Sequence, residues 1–145
     1  MTAVAHHIPR RWSIEVDGVR WLPRMIDKAR MSARGTLGAY LLGHSPVDRA
    51  LLERLRVDTD GFTRIALENA DDAAVWDALR ARGADEVRVR RWSERFPRTY
   101  RLYTHLWDID EGHTAPNPIE RALLAISRAV ERPVMALVRR LSPRP

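Results

Sequence analysis

The chain has 145 residues, close to the length of one domain, and can bury roughly 68–70% of its unfolded surface without a staple. Apolar residues make up 45% and charged residues 30%, which fits a soluble globular fold and excludes wholesale disorder. There is no cysteine, which excludes a disulfide framework, a thiolate zinc site and a cysteine nucleophile, and the net charge is +6.

In chain order, residues 1–11 read as a loose arm. Ser13–Val16 and Val19–Leu22 flank Asp17-Gly18, a hairpin-turn dipeptide. Pro23 suits the first turn of a helix whose stripe is Leu22, Met25, Ile26, Ala29 and Ala33. A short helix over Leu37–Leu42 is expected between Gly35 and Gly43. Ser45-Pro46-Val47-Asp48 reads as cap, first-turn proline and N-terminal acid, followed by inward Val47, Leu51, Leu52 and Leu55. Asp58 or Thr59 opens a helix with Phe62, Ile65 and Ala66 apolar. Asn69 or Asp71 opens the next, with Val75, Trp76 and Leu79 inward and Gly83 closing it. Residues 85–96 are predicted helical up to an interruption at Pro97, residues 98–111 helical up to Gly112. Asn117-Pro118 starts a last helix with a kink or break at Pro133. The expected fold is an all-α, compact single-domain helical bundle: a core domain over 1–113 with its N-terminal arm, and a C-terminal amphipathic helical appendage over 114–145.

The strings WLPRMIDKARMSARGTLGAYLLG, SPVDRALLERL, DGF, DDAAVW and LWDIDEG resemble a bacterial family numbered 5069 in the domain-of-unknown-function series. The resemblance covers roughly residues 20–113. LPRxIDKxR followed by GTLGxY carries most of it, and WxxDxDEG is a second match. His113 stands where the family usually has a basic residue after DEG. The resemblance implies a compact helical bacterial protein and brings no activity with it.

Two clusters could carry chemistry. On the first helix Arg24, Asp27, Lys28 and Met31 lie opposite the apolar stripe. Arg24 and Lys28 are like charges at i,i+4, which costs about 0.2–0.5 kcal/mol unless an anion or carboxylate sits between them. Asp27 with Arg30 reads as a local pair, and the bland alternative is a solvated face. At the other cluster Asp108, Asp110 and Glu111 fall in the last helical turn, where the macrodipole disfavours carboxylates. An ideal wheel puts Glu111 on the face of Tyr100, Tyr103 and Trp107, and a carboxylate desolvated by rings is prepared for acid–base work. The bland alternative is a frayed helix end whose acids meet water or an arginine.

This gives Glu111, Asp108 and Lys28 as candidate catalytic residues, with Arg24, Asp27, Asp110 and His113 as candidate ligand contacts. The corresponding function is a small-molecule binder for an anion, extending to a lyase- or isomerase-type proton transfer. The competing function is a non-catalytic helical interaction module, in which Arg24, Asp27 and Lys28 pair structurally with the DxDE acids. His105, Asp108, Glu111 and His113 are of metal-ligand type but lack a metal-site spacing, so neither metal nor cofactor is expected. His6 and His7 read as arm residues and His44 as a loop residue.

Residues 88–103 interleave Arg88, Arg90, Arg91, Arg95, Arg98 and Arg101 with Trp92, Phe96, Tyr100 and Tyr103. Basic residues beside aromatics suit single-stranded nucleic acid, yet the four-residue recurrence of Trp92, Phe96 and Tyr100 is explained by packing, and no recognition motif is present. The last helix has an apolar stripe of Ile119, Leu123, Ile126, Val130, Leu137 and Leu141 opposite Arg121, Arg128, Arg132 and Arg139. It lacks the Trp and Phe of a membrane-surface helix and is expected to pack on its own domain or in a homo-oligomer. No apolar leader opens the sequence and no uncharged run reaches bilayer length, so a cytoplasmic location is expected. Residues 1–34 and 113–145 are net basic and residues 47–79 net acidic. That segregation suits packing of the ends on the middle as well as it suits an anionic partner.

Overall fold

In the computed structural model the described residues are 8–141, with backbone alone at 127, 128, 131, 132 and 134–141. The arm histidines His6 and His7, and the side chains of Arg128, Arg132, Leu137, Arg139 and Leu141, therefore lie outside what is described. Two compact units divide at Arg101 and Leu102.

The first unit opens with a two-stranded hairpin, β1 (Glu15–Val16) and β2 (Val19–Arg20). Asp17 and Gly18 both adopt positive φ, 49° and 74°, as a primed hairpin turn requires. Five helices follow: α1 (Leu22–Ala33), α2 (Pro46–Leu55), α3 (Thr59–Glu68), α4 (Asp72–Ala81) and α5 (Glu86–Thr99). Their starts are written in local chemistry. Ser45, Asp58, Asp71 and Asp85 each accept a hydrogen bond from the backbone N–H three residues on. The core is built from Leu22, Met25 and Ile26 of α1, Leu51 and Leu55 of α2, Phe62 and Ile65 of α3, and Trp76 and Leu79 of α4, all nearly inaccessible. Phe96 of α5 is its aromatic hub, stacked on Trp12 and Trp21 with centroids 5.8 and 5.7 Å away and edge-on to Trp92 at 5.1 Å. The packing explanation of Trp92, Phe96 and Tyr100 therefore holds.

Four local expectations are corrected. No helix forms over Leu37–Leu42: the chain there makes turns with Gly38 at φ 63° and Gly43 at φ 78°, outside the helical region. Ala33 is exposed at the end of α1 rather than part of its buried stripe. Pro97 does not interrupt α5, which runs on to Thr99. The proline deprives the Ser93 carbonyl of its helical donor, and Arg20 Nη1 donates to that carbonyl instead, at 3.1 Å. The Ser93 hydroxyl accepts from the Arg20 N–H and donates to the Gly18 carbonyl, both at 2.8 Å, so the hairpin docks where the proline opens the helix. Residues 8–11 are not a loose arm either. Arg10 donates to Asp27 through its backbone N–H and its guanidinium, at 2.8 and 2.9 Å, and to both oxygens of Asp72, at 2.5 and 2.9 Å.

The second unit carries α6 (Arg101–Asp110, its first residue counted with the first unit) and α7 (Pro118–Leu141). Asn117 and Glu120 form a reciprocal capping box at the start of α7, at 2.8 and 2.9 Å. The helix continues through Pro133 without a break. Ile119, Leu123, Ile126 and Val130 are all exposed. Among the described residues no helix is long and apolar enough to cross a membrane.

Candidate functional site

The polar face of α1 is not solvated. Arg24 and Lys28 are each only 3% exposed, and Met31 is buried beside them. A buried ammonium requires a counter-charge and acceptors for its protons. Asp48, wholly buried on α2, supplies the charge: Lys28 Nζ lies 2.7 Å from both of its carboxylate oxygens. Lys28 also donates to the Leu41 carbonyl at 2.9 Å.

Asp48 is held from two further sides. Trp21 Nε1 donates to Oδ1 at 2.7 Å and the Gly43 N–H donates to Oδ2 at 2.9 Å. The cluster thus binds α1, α2 and the 34–45 connection together around one carboxylate. Two backbone features serve it. Trp21 sits in the left-handed region at φ 68°, a conformation costly for a bulky residue. Its indole is fixed by Asp48 and lies 5.2 Å from the Lys28 ammonium, which holds the residue there. Gly43 also has positive φ, and a Cβ on it would overlap Thr59 Oγ1.

The i,i+4 repulsion of Arg24 and Lys28 is relieved by separate partners. Arg24 donates to the carbonyls of Pro9 and Arg10, at 3.4 and 3.0 Å. Its guanidinium lies 5.2 Å from the Trp21 ring and 5.4 Å from the Tyr40 ring. The local Asp27–Arg30 pair is not formed. Asp27 takes Arg10, while Arg30 donates to the carbonyls of Ala66, Asn69 and Ala70, capping the C-terminal end of α3.

In the second unit α6 keeps its helical form through Asp110. Its end is a Schellman turn: Gly112 at φ 79° donates to the Ile109 carbonyl, and the His113 N–H donates to the Asp108 carbonyl at 2.7 Å. Asp108 is buried, Asp110 is exposed, and the Glu111 side chain is only 4% exposed. His113 Nε2 lies 3.8 Å from Glu111 Oε2, while His105 is engaged by Glu120 at 2.7 Å. That histidine lowers the pKa of the Glu120 carboxyl, with help from the Asn117 backbone. Tyr103 and Trp107 pack on each other at 5.9 Å, and Tyr103 is exposed. Among the described residues no group of three or more His, Asp or Glu side chains is arranged to hold a metal ion.

Arg24, Asp27 and Lys28 therefore belong to the first unit, and Asp108, Asp110, Glu111 and His113 to the second. Within the first unit the sequence reading missed Asp48, because an acid at the third position of a proline-started helix is explained by the helix dipole alone.

These features define a small all-helical protein whose first unit is framed by a buried lysine–aspartate pair. The chain belongs to the family described as Domain of unknown function (DUF5069), whose model matches residues 6–112, more than half of its length. No curated protein and no solved structure matches it.

Proposed function

We propose that this protein is a non-catalytic helical interaction module that associates with a second copy of itself through α7. The observation that carries this reading is the exposed stripe of Ile119, Leu123, Ile126 and Val130, spaced i, i+4, i+7 and i+11 on one helix. Such a stripe is a seam for another helix, and an isologous pair covers both copies at once. Lys28 supports the same reading: its ammonium faces a wholly buried carboxylate and a backbone carbonyl, the arrangement of a structural ion pair. The test is the solution mass of the full chain beside Leu123→Glu/Ile126→Glu. A dimer that becomes a monomer of unchanged helicity supports the module; a wild-type monomer at high concentration overturns it.

One observation favours a second reading, acid–base chemistry on a small anion. Glu111 keeps a nearly inaccessible carboxylate side chain, with His113 nearby, at the end of a helix that also carries Asp108 and Asp110. Glu111→Gln keeps the shape and removes the ionisable proton. In that reading it leaves the fold intact and lowers turnover by about 10²–10⁴.

A further inference from the structure

The first unit carries an arginine-rich groove that the interaction-module reading does not use. It lies between α2 and α5, has a volume of about 310 Å³, and is lined by Arg54, Arg88, Arg91, Arg95, Trp92 and Tyr100. Four guanidiniums border one depression, and few carboxylates answer them. Arg88 meets Glu53 at 3.1 Å. Arg54 donates to the Ala50 carbonyl at 2.6 Å and lies 5.9 Å from the Trp92 ring. Arg91 and Arg95 are exposed and make no ion pair among the described residues. Arg88, Arg91 and Arg95 follow one another at i, i+3 and i+7, a spacing at which like charges weaken a helix. A bound anion would remove that repulsion.

We propose that this groove binds the phosphoanhydride chain of a small polyphosphate, with Arg54, Arg91 and Arg95 as its main contacts. Guanidinium forks match phosphate oxygens two at a time. Arg91 and Arg95 are four residues apart on α5, about 6 Å of helix, and Arg54 borders the same groove from α2. That length suits two or three linked phosphates better than one. Single-stranded nucleic acid fits less well, because it needs exposed rings to stack on. Trp92 is buried, and its ring packs edge-on against Phe96 and Tyr100.

The test is calorimetric titration of the full chain with inorganic tripolyphosphate, ATP, orthophosphate and an oligothymidylate. Arg91→Gln and Arg95→Gln are compared with Arg64→Gln, an exposed arginine of α3 outside the groove, and helicity is measured for each. Saturable one-to-one binding of tripolyphosphate is expected, with orthophosphate at least about tenfold weaker. Each groove variant weakens it about tenfold or more, whereas Arg64→Gln leaves it unchanged. Equal affinity for ATP and tripolyphosphate assigns the site to the phosphate chain itself. Tighter binding of ATP assigns it to a nucleoside polyphosphate, again within the proposal. No saturable binding, equal loss in all three variants, or binding of the oligothymidylate without competition from tripolyphosphate overturns it. Chain mass is read in the same samples, so failure of the groove and failure of α7 association are told apart.

Discussion

Arg90 Nη2 lies 2.7 Å from Asp17 Oδ2, and Trp76 Nε1 donates to the same oxygen at 3.0 Å. One turn carboxylate thereby joins the hairpin to α4 and α5. The Arg90 hydrogen bond, followed by that of Trp76, lowers the pKa of Asp17 below its ordinary value of 3.8. A carboxyl depressed in the folded state stabilises it fully above the unfolded value and loses that contribution as pH falls through the folded one. The contribution is expected to be intact at neutral pH and to fade below about pH 3.8. Carboxyl NMR titration checks this, and Arg90→Gln should move the Asp17 midpoint upward. An unmoved midpoint would assign the shift elsewhere.

Breaking the Lys28–Asp48 pair on one side should be severe. Lys28→Met leaves a buried carboxylate without its cation, and Asp48→Asn leaves the ammonium without its anion. Each is expected to lose about 3–5 kcal/mol in urea unfolding. Lys28→Met combined with Asp48→Asn should lose less than the sum of the two, since it leaves no charge stranded. Additive losses in the double variant would show that the two residues do not act as a pair.

Gly43→Ala is expected to destabilise by about 1–3 kcal/mol, from its positive φ and from the collision with Thr59. Adding Thr59→Ala should relieve the collision and leave the backbone strain. Thermal melting of the three variants separates the two contributions. A neutral Gly43→Ala would mean that the loop relaxes freely.

Asn117→Ala removes one half of the capping box at α7 and should lower the helicity of the second unit. A cap of this kind contributes about 0.5–2 kcal/mol. His105→Gln should raise the Glu120 midpoint, because His105 is the largest cause of its depression. Carboxyl NMR titration reads this directly, and no change would place the cause in the backbone of Asn117.

The features legible in the sequence were those set by neighbours in the chain. Asp17-Gly18 dictates its turn, and Ser45, Asp58, Asp71 and Asn117 dictate helix starts through hydrogen bonds spanning three residues. The buried face of Arg24 and Lys28 was not legible, because periodicity assigns charged positions to solvent, whereas their partners come from Pro9, Arg10, Leu41 and Asp48. One mark of it was present: Lys28 is the sole lysine in a chain rich in arginine. An ammonium is compact enough to sit between one carboxylate and one carbonyl, where a guanidinium fork is not. The apolar run at Leu37–Leu42 misled for a related reason, since the Leu41 carbonyl is turned toward Lys28 instead of a helical donor. In the second cluster Asp108 and Asp110 lie on α6 as read, whereas Glu111 falls just past its last residue, and the chemistry of these acids depends on surroundings that spacing does not encode.

The strap formed by Arg10 has a consequence for the order of folding. Its contact with Asp72 spans 62 residues of chain, so it closes a long loop and becomes rewarding only after α4 has docked. Interactions made that late are absent from the rate-limiting barrier. Arg10→Ala should therefore leave the refolding arm of a chevron in place and raise the unfolding arm. The strap then acts as a latch on the finished structure, setting how long the native state lasts rather than how quickly it is reached.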